Sequence, residues 1–124
     1  MDTLYIDQTE RTPKIRFCDG NLLIWGTFVP VDPAVFYLLL HEWVIKYSNS
    51  PAPVTVVDIG LKYTRGYTMN YIKKLLQELI IIKNNQRTLI INWHYIPNGL
   101  DVRAGEYLSR KINCPFNFVE VEII

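Results

Sequence analysis

Apolar and polar positions change rhythm several times along the chain, and each change marks an element. Lys14-Ile15-Arg16-Phe17-Cys18 alternates, Asp19-Gly20 is a two-residue turn signal, and Asn21 to Gly26 resumes as a second strand, so this region reads as a β-hairpin. Val35, Phe36, Leu39, Leu40, Trp43, Val44 and Tyr47 then recur at helical spacing. They predict a helix over 33–47, with Asp32 as its cap and Pro33 at its first position. After the loop Ser48 to Pro53, the run Val54 to Leu61 is rich in β-branched residues and nearly uncharged, as in a strand covered on both faces. A turn over Lys62 to Thr68 leads to Met69, Ile72, Leu75, Leu76, Leu79 and Ile80, which predict a second helix over 69–83. Thr88 to Tyr95 is another buried-type strand. Pro97-Asn98-Gly99 turns, and Leu100 to Ile112 forms a weaker helix with Leu100, Ala104, Tyr107, Leu108 and Lys111 on one side. Phe116 to Glu122 alternates as a final strand whose polar Asn117, Glu120 and Glu122 suit an edge. Residues 1–12 are polar and irregular by comparison.

The expected order is β-β-α-β-α-β-α-β, an α/β fold with a mixed sheet packed by about three helices. No linker or repeat divides the chain, so residues 1–124 read as a single small domain. A hydrophobic content of 49% with 20% charged residues excludes a disordered or fibrous chain. Thirteen basic against twelve acidic residues leave a net charge of +1, which calls for neither nucleic acid nor an anionic membrane as partner. No apolar run approaches the ~20 residues of a membrane span. Met1-Asp2-Thr3-Leu4 carries no signal-peptide pattern, and Cys18 and Cys114 read as thiols, so the cytoplasm is the expected compartment.

Candidate chemistry is sparse. His94 ends a strand, where α/β folds often place catalytic groups, and Asp101 follows it. That pair is the basis for an alternative reading as a small-ligand or enzymatic site. No G-x-S-x-G turn accompanies it, and His94 reads more simply as a surface histidine beside a helix cap. His41 reads as a solvated helix residue. The histidines and cysteines lack zinc-site spacing, and the glycines form no phosphate-cradling motif, so no metal or cofactor is expected. Lys73-Lys74 and Arg110-Lys111 read as solvated helix faces, and Trp25, Trp43 and Trp93 as packing residues. A strand entering a helix through a Thr-containing loop is different, because it sets hydroxyls at the positive end of a helix dipole. Within that loop, Tyr63, Arg65, Gly66 and Tyr67 are the expected contact residues for a protein partner, aromatics and Arg being favoured interface anchors.

Several landmarks in order resemble one family: Thr9-x-x-Thr12-Pro13-x-Ile15-x-Phe17, Gly26, Trp43, Leu61-x-Tyr63, Ile91-x-Trp93-x-Tyr95, Gly105-Glu106 and Ile112-Asn113-x-Pro115-Phe116. These are similar to the SiaC-type bacterial regulatory phosphoproteins. The resemblance implies a STAS-like fold, like that of anti-sigma-factor antagonists, and a non-enzymatic switch. It implies a cognate Ser/Thr kinase and a PP2C-type phosphatase as partners, acting on the loop before the second helix. It also implies that the unphosphorylated form engages a diguanylate cyclase in cyclic-di-GMP signalling. The family's Tyr-x-Asn-Thr-Ser-Ser becomes Tyr63-Thr64-Arg65-Gly66-Tyr67-Thr68 here, so Gly66 occupies the position of the phosphorylated Thr. Thr68 is then the expected acceptor, with Thr64 second. Thr68 directly precedes the apolar helical period, which suits it to be the helix N-cap.

Overall fold

The computed structural model describes residues 1–97 and 101–124, and the backbone alone at Asp101. Its elements are β1 (Leu4–Ile6), β2 (Lys14–Cys18), β3 (Asn21–Phe28), α1 (Pro33–Asn49), β4 (Val54–Thr64), α2 (Gly66–Asn84), β5 (Thr88–Tyr95), α3 (Asp101–Lys111) and β6 (Asn117–Glu120). The strands form one sheet in the order β1-β2-β3-β4-β5-β6. The first three pair antiparallel, and β3 to β6 run parallel. This is the expected mixed α/β sheet, with β4 and β5 both interior. The one extra strand is β1, which pairs Leu4 with Phe17 and Ile6 with Ile15. Three residues are too few for a periodic signal, and β1 is held instead by its neighbours and by Trp43, whose Nε1–H donates to the Asp2 carbonyl at 2.8 Å.

Each parallel strand lies one place further along the sheet than the last. Right-handed crossovers then put α1, α2 and α3 on the same face. Alternation follows: Ile15, Phe17, Leu22, Ile24, Val57, Ile59, Ile91 and Trp93 are buried beneath the helices. Trp25, Asp58, Asn92 and His94 lie on the uncovered face. From the helices, Phe36, Leu40, Trp43, Leu76 and Leu79 are buried as their spacing predicts. Val35 and Leu39 share that spacing yet stay at the surface, 57% and 50% exposed, because the apolar stripe of α1 is wider than its contact with the sheet.

Two close fits pin the layers. The Tyr47 hydroxyl, 2.6 Å from Thr55 Oγ1, accepts from the amides of Gly20 and Ala52, tying the end of α1 to the hairpin and to β4. Gly105 lets α3 lie directly on Trp93, since a Cβ there would stand 2.6 Å from the indole. Gly20, with φ of +87°, supplies the left-handed turn of the hairpin. The final strand ends at Glu120, earlier than expected, and does form the sheet edge. Asn98, Gly99, Leu100 and the side chain of Asp101 lie outside the described residues. No helix among the described residues is long and apolar enough to cross a membrane.

Candidate functional site

The loop between β4 and α2 is shorter than its sequence suggests. Pairing of Thr64 with Phe28 carries β4 through Tyr63 and Thr64, and α2 begins at Gly66, so Arg65 alone separates them. Arg65 is the N-cap, with extended backbone and no side-chain oxygen to offer. The expected assignment of Thr68 as N-cap is therefore corrected. It sits at the third helical position, fully buried.

Thr68 still caps the helix, from inside. Its Oγ1 accepts from the Arg65 amide at 3.0 Å. Its one proton is aimed between the carbonyls of Arg65 at 2.8 Å and Phe28 at 3.3 Å. Thr64 Oγ1 lies 2.8 Å away. This small knot binds the end of β3, the end of β4 and the first turn of α2 into one unit. Around it Tyr63, Arg65, Gly66 and Tyr67 are exposed, Tyr63 and Tyr67 by 64% and 52%. The structure thus brings the expected contact residues together on one surface, with Thr64 half-buried beneath. The Arg65 side chain makes no capping hydrogen bond, and no acidic residue stands in the first turn of α2. The first turn of this helix thus supplies no negative charge of its own to offset the positive end of its dipole.

Residues not singled out by the sequence complete the neighbourhood. A groove of about 320 Å³ between α2 and α3 is lined by Gly66, Met69, Asn70, Lys73, Ala104, Tyr107 and Leu108. Its sequence signal was the one-sided stripe of Ala104, Tyr107 and Leu108, which reads equally well as ordinary packing. On the outer face of α2, Lys74 is exposed as expected, with its ammonium 5.7 Å from the Tyr71 ring and 6.0 Å from the Tyr37 ring.

The two histidines also differ from expectation. His94 is half-buried on the open sheet face rather than fully solvated: its side chain is 17% exposed, and its Nε2 is 3.1 Å from Asp58 Oδ1. Asn21 and Asn92 donate to the same carboxylate, and Asn117 continues the row to Asn92. Burial pushes the Asp58 carboxyl up, but the hydrogen bonds from His94, Asn92 and Asn21, with the His94 charge, outweigh it and hold the group below its ordinary value. Of the alternative site, His94 and the backbone of Asp101 lie among the described residues. Among the described residues, concavities lie at the start of α1, on the outer face of α2, between α2 and α3, and beside Trp43, and His94 lines none of these. His41 is tied to Glu78 across the α1–α2 seam, Nδ1 to Oε1 at 2.7 Å, and Tyr37 donates to the same oxygen. Burial, and then the Glu78 hydrogen bond and charge, push the Tyr37 phenol above its ordinary value. Among the described residues no group of three potential ligands could hold a metal ion.

The fold is shared with solved structures. SiaC of Pseudomonas aeruginosa superposes with a TM-score of 0.83 at 21% identity, covering 96% of this chain and 97% of that one. A chain of the crystal structure of diguanylate cyclase SiaD in complex with its activator SiaC, from the same organism, gives 0.84 at 21%, covering 95% and 99%. The apo-SiaC crystal structure gives 0.76 at 22%, covering 97% and 98%. No curated protein matches the chain. The model of the SiaC family regulatory phosphoproteins matches residues 6–121, from the end of β1 to just beyond β6. With that match spanning nearly every element described above, the chain belongs to the SiaC family of regulatory phosphoproteins.

Proposed function

We propose that this protein is a non-enzymatic cytoplasmic switch that binds a diguanylate cyclase through the start of α2. The observation that carries the reading is the exposed group of Tyr63, Arg65 and Tyr67 around a helix start whose N-cap residue offers no side-chain hydrogen bond. Such a surface suits a protein partner, since aromatic and Arg side chains dominate interface energies. SiaC of Pseudomonas aeruginosa is the activator of the cyclase SiaD, and the shared family makes a cyclase the first partner to test.

Regulation by a cognate Ser/Thr kinase and a PP2C-type phosphatase belongs to the same proposal. Thr68 is the acceptor we propose, with Thr64 second. A kinase must open the first turn of α2 to reach Thr68, because its hydroxyl is buried in the knot described above. A phosphate there would bring about −1.5 to −2 charges to the helix start, beside Arg65, and break the tie to Phe28. If Thr68 acts only as a cap, the protein is held in its partner-competent state.

The experiment has two parts. Calorimetric titration with the neighbouring cyclase should give a saturable complex, and absence of any complex would end the reading. Incubation with the neighbouring kinase and ATP, followed by intact-mass measurement, reports on regulation. No added phosphate on the wild type rules out the switch, and phosphate that persists on Thr68→Ala shifts the acceptor to Thr64. Gly66→Thr is a useful third sample, because a Cβ at Gly66 meets nothing within 4 Å and the hydroxyl would be exposed.

A further inference from the structure

We propose that the groove between α2 and α3 seats an acidic segment of the partner protein, with an apolar side chain in the groove and carboxylates over Arg65, Lys73 and the amino end of α2. This deepens the preceding reading and rests on it. The groove is apolar inside: Leu108 is buried at its base, Met69 and Ala104 are half-buried, and Tyr107 forms a wall. Its volume of about 320 Å³ is at the small end of ligand pockets, which suits one or two side chains rather than a large ligand. Gly66 keeps the mouth open, since nothing lies within 4 Å of where its side chain would start.

Charge decides what enters. Among the described lining residues there is one cation, Lys73, and no carboxylate. Lys111 stands 5.6 Å from the Tyr107 ring on one side, and Arg65 caps α2 on the other. The first amides of α2 add the positive end of a helix dipole, with no acidic residue in the helix's own first turn. An acidic peptide meets all of these at once.

The larger concavity at the start of α1, about 740 Å³, lacks this selectivity. It is lined by apolar Val31, Val35, Phe36 and Leu39, but both signs of charge border it, in Glu10, Arg11 and Asp32. The amide of Val35 is already taken by the Asp32 carboxylate. Nothing there favours one partner over another, which makes it a control surface.

The test has an arm that needs no cyclase. A synthetic peptide of glutamate and leucine, titrated into the labelled protein, should shift the amide resonances of Met69, Lys73 and Tyr107, and its lysine–leucine counterpart should not. No shift in the groove, or shifts only around Val35 and Leu39, would overturn the proposal. So would inorganic phosphate alone reproducing the pattern, since that would mark an anion site.

In the second arm, Lys73→Glu should weaken the cyclase complex by about tenfold or more and flatten its salt dependence. Ala104→Leu should weaken it by filling the groove, while Val35→Ser with Leu39→Ser should leave it intact. Thermal melts of each variant separate lost contact from lost folding. Groove variants that bind like the wild type overturn the proposal and leave the cyclase reading standing. A groove that takes the acidic peptide while the wild type ignores the cyclase overturns that earlier reading instead.

Discussion

Helices α1 and α2 both leave the carboxyl ends of neighbouring parallel strands, yet they begin by different chemistry. At α1, Asp32 accepts from the Val35 amide and Pro33 occupies the first position, so the helix end is sealed by its own acid and its own imino ring. At α2, the cap is a cation, the first residue is glycine, and the hydroxyl that closes the turn comes from Thr68 within the helix. One start is satisfied in itself. The other is rigid underneath and electrically open on top, which is what a docking surface needs. The sealed end carries the larger apolar concavity, and the open end carries the one with a preference of sign.

The core holds both helices in place, and its loss should have the largest effect. Leu76 is fully buried beneath α2, so Leu76→Ala should cost about 2–5 kcal/mol in chemical denaturation. A cost well below that range would mean the second helix packs more loosely than its burial indicates.

The cap comparison comes next. Thr68→Val keeps the shape but strands the Arg65 amide and the Thr64 hydroxyl, and should cost about 1–3 kcal/mol. Asp32→Ala removes a cap at an exposed site and should cost about 1 kcal/mol. Thermal melts that reverse this order would show that the inner knot is not the firmer of the two starts.

This contrast also explains what the sequence discloses. The start of α1 is legible because an Asp followed by Pro is a local signal. The start of α2 is not, because the extension of β4 depends on pairing with Phe28, and the hydroxyl that closes the first turn lies inside the helix rather than at the N-cap. Tyr63, Arg65, Gly66 and Tyr67 could be singled out from the strand-to-helix change and from their types. The groove could not, since Met69, Ala104 and Leu108 follow the same helical period as any core residue. His94 was legible as a strand end, but its partner Asp58 lies 36 positions away and only the parallel register brings them together. Val35 and Leu39 illustrate the opposite limit: periodicity marks an apolar stripe and says nothing of how much of it the sheet covers.

The open sheet face offers a smaller effect, distinct from both helix starts. Asp58 is held below its ordinary value in the folded state, so its contribution to stability is present above the ordinary carboxylate range and is lost as pH falls through the lowered value. Asp58→Asn should therefore remove part of the acid limb of a stability-versus-pH curve, the two proteins converging at the lowest pH. Parallel curves across the whole range would show that the His94 contact adds nothing to folding.

The smallest effect on folding should come from Arg65, which is proposed to act in binding. Arg65→Glu changes an exposed side chain and should move stability by no more than about 0.5 kcal/mol. A larger loss in thermal melts would mean that Arg65 supports the start of α2 as well as facing the partner.

Hydrogen–deuterium exchange of this protein with and without the diguanylate cyclase shows which helix start the partner covers, because it reads the backbone amides of both in one sample. New protection is expected over residues 63–74 and on α3, with residues 30–46 unchanged. Protection over residues 30–46, with the start of α2 exchanging as in the free protein, would contradict that expectation and place the partner on α1.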